Sequence, residues 1–179
     1  MAILKIVTDS EILHKKSKPV ETFDARLHQL LDDMRETLIN AHGYGIAAVQ
    51  VGVLYRICIV GTPDGYIELV NPQIVAQSKP KLGDEGCLSI KNIRMNVIRP
   101  QRVTVSAFDR YGKPFQVILK NMPSICACHE VDHLDGILFT DRAAEQGNTV
   151  VTEDLEEYGV SSRVASPQPY ADPSCEGSS

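Results

Sequence analysis

Several features are missing from this chain, and each absence narrows what it does. No run of about 18 apolar residues occurs, so no segment has the length of a membrane-spanning helix. Positive charge is not in excess: 18 Lys and Arg stand against 23 Asp and Glu, for a formal charge of −5 and a pI near 5.5. A mildly acidic chain is poorly suited to direct nucleic-acid or anionic-membrane binding, and neither partner is expected. Met1–Ser10 shows no basic stretch leading into a long apolar one, and no Arg-rich presequence. A cytoplasmic location is therefore expected, unless a targeting segment has been removed. The cysteines, Cys58, Cys87, Cys126, Cys128 and Cys175, are odd in number and irregular in spacing, which is no disulfide framework. Internal repeats are absent.

What is present suits one globular domain. Of the 179 residues 43% are hydrophobic and 23% charged, enough to bury a core without a covalent staple. Residues 23–41 read as an amphipathic helix, with Leu27, Leu30, Leu31, Met34 and Leu38 at helical spacing, Asp24 as its cap and Gly43 as its stop. Tyr55–Val60 is a continuous apolar run, hence a buried strand holding an inert Cys58, and turn-rich residues 61–65 lead to a partner at Tyr66–Val70. Asn71-Pro72 is expected to break the chain. Arg94–Ile98, Arg102–Phe108 and Phe115–Leu119 read as further strands, with period-2 alternation clear in Val103, Val105 and Ala107. A second helix is expected over about Met122–Leu134, capped by Asn121, with Pro123 in its first turn and Gly136 at its end. Strands gathered around a late helix, without βαβ alternation, argue for an α+β fold. From about Ala143 the texture turns polar; Glu153–Tyr158 is expected to add a short helical turn and residues 160–179 to be flexible.

The chemistry concentrates in His129-Glu-Val-Asp-His133, which matches H-E-x-x-H. On a helix, residues i and i+4 share a face, so two imidazoles can chelate one ion while Glu130 reaches water beside it. The ion acidifies water and polarises a carbonyl, and the carboxylate moves the proton. Two surface histidines on a charged helix are the bland alternative. Against it, Ile125-Cys-Ala-Cys128 makes the preceding turn apolar, and two of only five histidines fall in the motif. A catalytic site of this type needs a third ligand. No histidine follows His133, and downstream Glu145, Glu153, Glu156 and Glu157 sit in weakly patterned sequence. Cys87, in what reads as a tight loop at Asp84-Glu-Gly-Cys-Leu-Ser89, is a better candidate, although a lone cysteine is more often core. Gly43-Tyr-Gly-Ile-Ala-Ala-Val-Gln50 clears space with small residues, and Gln50 offers an amide donor suited to an oxyanion; on that segment alone a packed turn explains it equally well.

Together, Gly43-x-Gly-x-Ala-Ala-x-Gln50, Glu85-Gly-Cys-Leu-Ser89 and His129-Glu-x-Asp-His133-Leu134 resemble, in order and spacing, the three signature motifs of peptide deformylase. The resemblance runs from about Ile3 to Arg142, so residues 1–142 are expected to form the catalytic domain and residues 143–179 a C-terminal extension. It implies antiparallel or mixed sheets surrounding a central helix that carries the H-E-x-x-H motif. It also implies removal of the formyl group from N-formylmethionyl peptides, on nascent chains at the ribosome of a bacterial or phage-like source, or of an organelle where a presequence has been lost. Cys87, His129 and His133 would bind one divalent ion, natively Fe²⁺, with Zn²⁺, Ni²⁺ or Co²⁺ able to replace it. Glu130 would be base and then acid; the Leu88 N–H and Gln50 would stabilise the oxyanion. Gly43, Tyr44, Gly45, Glu85, Gly86, Arg94, Ile125 and Cys126 would contact substrate, with Ile125 and Cys126 lining a methionine pocket. The chain departs from the pattern at Cys128, where relatives usually have Gln, at Tyr44 in place of a small aliphatic residue, at Lys91 where many have Pro, and in lacking a long basic C-terminal helix. Cys128 and Tyr44 leave room for a metal-binding paralogue without efficient turnover, whereas Glu130 and Gln50 argue for an enzyme. A zinc endopeptidase lacks its downstream ligand, and Cys126-Ala-Cys128 has the wrong spacing for a helical redox pair.

Overall fold

The computed structural model of the chain describes residues 2–8 and 10–147, together with the backbone of 150–152. The readings of Glu153–Tyr158 as a helical turn and of 160–179 as flexible lie outside the described residues, as does Cys175.

The stripe Leu27, Leu31, Met34 and Leu38 is the buried face of α1 (Ala25–Asn40). Asp24 caps it, its carboxylate accepting from the N–H groups of Arg26 and Leu27, both at 3.0 Å. The stop differs from expectation. The left-handed residue is His42, at φ 51°, rather than Gly43. The N–H groups of His42 and Gly43 then turn back onto the carbonyls of Ile39 and Leu38, at 3.1 and 3.2 Å.

Strands β1 (Gly45–Ala47), β2 (Ile57–Thr62), β3 (Gly65–Gln77), β6 (Arg102–Phe108) and β7 (Pro114–Lys120) form one antiparallel sheet in that order. A second antiparallel sheet has the order β4 (Pro80–Cys87), β5 (Ile90–Pro100), β8 (Val150–Thr152). The continuous apolar run in β2 has a physical reason: the strand is covered on both faces. Ile57 and Ile59 pack with α1, whereas Cys58 and Val60 belong to the core on the other side. That second core receives α2 (Met122–Leu134), which packs on β1, β2, β5 and β7 and buries nine of its residues, from Ser124 through Cys126–Glu130 to Asp132–Leu134. The architecture is thus α+β, with antiparallel sheets around the motif-bearing helix.

Three local expectations are corrected. Asn71-Pro72 does not end the strand: β3 runs through it with a register shift between Val70 and Gln73, where Asn71 takes φ 52°. The Asn71 side chain accepts from the Val20 N–H at 2.8 Å and donates to the Val20 carbonyl at 2.9 Å, pinning the N-terminal stretch. Asp84–Cys87 is not loop but the end of β4, laddered to β5; only Leu88 and Ser89 turn. Asn121 makes no side-chain cap on α2 and instead occupies φ 57°, ψ −129°, outside the left-handed helical region. Gly136, at φ 74°, does end the helix, and a Cβ there would lie 2.4 Å from the His14 carbonyl oxygen. The boundary expected at residue 142 falls inside α3 (Phe139–Glu145).

Candidate metal centre

The end of β4 delivers Cys87, and consecutive turns of α2 deliver His129 and His133. Their donor atoms lie within 4.8 Å of one another. The Cys87 Sγ is 3.2 Å from His133 Nε2. Tetrahedral coordination with bonds of 2.0–2.3 Å requires ligand–ligand edges of about 3.3–3.8 Å, so this donor set suits a divalent transition metal. The backbone N–H of Ser89 and the Nε2 of Gln50 also point at the sulfur, at 3.4 and 3.5 Å, and Gln50 reaches Ser89 Oγ at 3.3 Å. The other end of the Gln50 amide is fixed by the Ala47 N–H at 2.8 Å, so its NH₂ group faces the centre in a buried, preset orientation.

Glu130 lies on the same helix and is only 3% exposed. Burial raises its carboxyl to about 7. One oxygen, Oε1, receives the Cys126 thiol at 3.9 Å. The other, Oε2, is buried with no partner among the described residues, and the same holds for His133 Nδ1. An open carboxylate oxygen beside three metal-type donors calls for an ion or water to complete it. Gly45 makes this approach possible, since a Cβ there would fall 2.4 Å from Cys126 Sγ and 2.6 Å from Glu130 Oε1. Gly43 plays the same part for Leu88, whose Cδ1 would lie 2.9 Å from an added Cβ. All three motifs therefore converge.

Glu85 is placed differently from expectation. It is buried behind His129 rather than facing a substrate, accepting from His129 Nδ1 at 2.9 Å. That bond leaves Nε2 as the nitrogen free to ligate. Burial disfavours the Glu85 charge, but His129 and Arg99 outweigh it and hold the carboxyl below the ordinary range. Burial likewise disfavours a charge on His129, but Cys87 and Glu85 overcome it and raise the imidazole to about 10. His133, buried and next to His129, is pushed well below the usual value. Arg99 grips Glu85 with two bonds, 2.7 and 3.2 Å long. Residue patterning missed Arg99, yet a signal was there: Met95, Val97 and Arg99 alternate inward along β5, which buries a cation that must have partners.

Of the remaining expected contacts, Tyr44 is half exposed at the rim, its carbonyl accepting from the Gly61 N–H at 2.6 Å. Arg94 pairs with Asp84 at 2.7 Å and lies over Gly86. Ile125 is half-buried, within van der Waals reach of Gly83, and Cys126 is buried beside Glu130. Cys128 packs in the core, where burial pushes its thiol up to about 11, so it is no exposed oxidisable group. Cys58, Cys87, Cys126 and Cys128 are all free. A groove of about 670 Å³ between residues 18–24 and α1 includes none of these groups in its lining. No helix among the described residues is long and apolar enough to cross a membrane.

Comparison with known proteins agrees with this geometry. Residues 3–149 match the model of the polypeptide deformylase family. A peptide deformylase of Caldicellulosiruptor bescii is 51% identical over 143 residues, covering 79% of this chain and 86% of that one. The crystal structure of a peptide deformylase from Legionella pneumophila superposes with a TM-score of 0.77 at 42% identity, covering 79% of this chain and 86% of that one. A class I type b peptide deformylase from Acinetobacter baumannii, crystallised with Met-Ala-Ser bound, gives a TM-score of 0.74 at 34% identity, covering 79% of this chain and 98% of that one.

Proposed function

The chain belongs to the polypeptide deformylase family and is a metal-dependent hydrolase that removes the N-formyl group from newly made proteins, and we propose that Cys87, His129 and His133 hold its ion. The observation that carries this assignment is the convergence of those three donors beside the open, buried oxygen of Glu130. A divalent ion bound there supplies a Lewis acid that acidifies water and polarises the formyl carbonyl.

The chain's own residues do the rest. Glu130 Oε2 takes the proton of the attacking water and returns it to the leaving amine, a task suited to a carboxyl held near 7. Gln50 Nε2 and the Leu88 backbone N–H donate to the formyl oxygen as its negative charge develops; one such donor is typically worth about 10²–10³ in rate. Glu85 positions His129 rather than touching substrate. Gly43 and Gly45 keep the entrance open, Ile125 and Cys126 give the methionine side chain an apolar wall, and Tyr44, Gly86 and Arg94 flank the peptide. The bound Met-Ala-Ser of the Acinetobacter relative supports a peptide lying in such a cleft. The native ion is Fe²⁺, with Zn²⁺, Ni²⁺ or Co²⁺ as substitutes, and the substrates are N-formylmethionyl nascent chains at the ribosome, in the cytoplasm. Residues 1–142 are the body of the catalytic domain, which α3 carries to Glu145 and the pairing of β8 with β5 carries to Thr152, and the residues beyond are a C-terminal extension.

The test is formate release from a short N-formylmethionyl peptide by protein loaded anaerobically with Fe²⁺ or Ni²⁺. Glu130→Gln should keep one ion per chain and lose about 10²–10⁴ in rate. An equally active variant would remove Glu130 from its role. Cys87→Ala should lose the ion; unchanged metal stoichiometry would sink the ligand assignment.

A further inference from the structure

The candidate ligands come from a strand and a helix, so something must hold β4 and α2 in register. Arg99 of β5 spans them. Its Nε and Nη2 chelate Glu85, two residues before Cys87, at 2.7 and 3.2 Å, and its Nη1 binds Asp132, one residue before His133, at 2.5 Å. Asp132 is gripped again from α3: Arg142 Nη2 meets Oδ1 at 2.8 Å and Arg142 Nε meets Oδ2 at 3.1 Å. At the other end Glu85 holds His129 Nδ1 at 2.9 Å. With Glu145, which Arg142 Nη1 also meets at 3.3 Å, these guanidinium and carboxylate groups form one chain, buried at its Arg99–Glu85 end and partly exposed at Arg142. Taking such charges from water is costly, and an ion-pair chain is weak as a source of stability. Two-pronged guanidinium–carboxylate pairs are instead strong at fixing orientation.

We propose that Arg142 and Arg99 are positioning residues for the metal, fixing His129 through Glu85 and the spacing of Cys87 from the histidines, so that the lifetime of the bound ion is set from α3. This rests on the ligand assignment above. It is tested on the full chain loaded with Co²⁺, by following ion release to a chromophoric chelator and the visible spectrum of the bound ion. Arg142 suits the test because its side chain is 32% exposed, so replacing it leaves no sealed cavity. Arg142→Met should release Co²⁺ about 10–100-fold faster than the parent and shift the Co²⁺ absorption bands. Arg142→Lys, which keeps the charge but not the two-pronged grip, should fall between and serves if the Met variant does not fold. Arg110 is the control. It makes a comparable pair with Glu68 and Asp32 away from the centre, so Arg110→Met should leave release and spectrum unchanged. Release from the Arg142 variants at the parent rate would overturn the proposal, as would equal acceleration by Arg110→Met, which would mark a general loosening. A parent protein that takes up no Co²⁺ would sink the ligand assignment itself, a distinguishable result.

Discussion

At the scale of the residue, His129 can serve an ion because Glu85 occupies its other nitrogen. The same arrangement sets a pH dependence. Burial alone would lower His129, but Cys87 and Glu85 raise it to about 10, so near neutrality the metal-free site carries a proton there. Ligation needs that proton gone. Proton and ion therefore compete, and affinity must fall as pH falls: by about tenfold per unit for each proton released on binding. Chelator competition with Ni²⁺ at pH 6, 7 and 8 should show it, and a flat affinity across that range would refute the protonated His129. The pairing of His129 with His133 was legible because i, i+4 histidines share a helix face whatever the surroundings, whereas Cys87 joined them only through the resemblance. Arg142 was not legible, since its role depends on α3, a helix too short to leave a periodic pattern. Glu85 was legible as part of a motif but not in its direction, because strand pairing with Met95 decides which way it faces.

At the scale of the element, α1 and β6 could be read from periodicity because each has a buried face that repeats, whereas α2, buried nearly all round, was read from Pro123 at its start and Gly136 at its end. β4 could not. Only Glu85 is buried along its length, and its ladder to β5, not apolar alternation, makes it a strand. Asn71 misled for a related reason: a polar residue before proline reads as a break, but here its amide stands in for a missing strand partner. Asn71→Ala removes two bonds, of 2.8 and 2.9 Å, and strands the Val20 backbone groups. It should cost about 1–3 kcal/mol, seen as a lower urea midpoint at unchanged slope. An unaltered midpoint would mean that residues 18–20 are held without it. Gly136→Ala should also destabilise, by more than about 1 kcal/mol, because the added methyl meets the His14 carbonyl at 2.4 Å in a left-handed backbone.

At the scale of the whole molecule, the centre joins layers that the chain connects only over long loops of sequence. Cys87 belongs to the three-stranded sheet, and the histidines belong to the helix lying against the five-stranded one. An ion held by all three is a cross-link present only in the folded state, so it should stabilise by mass action. Free metal at a thousand times Kd contributes about 4 kcal/mol. For a domain of this size each kcal/mol moves Tm by about 2–4 °C. Loading with Ni²⁺ should therefore raise Tm on the order of 10 °C, and a chelator should reverse it. Cys87→Ala should show little of this rise, because two histidines one turn apart on α2 bind within a single element and tie nothing together. A full rise in that variant would mean the ion stabilises the helix alone, and the bridging between sheet and helix would have to be abandoned.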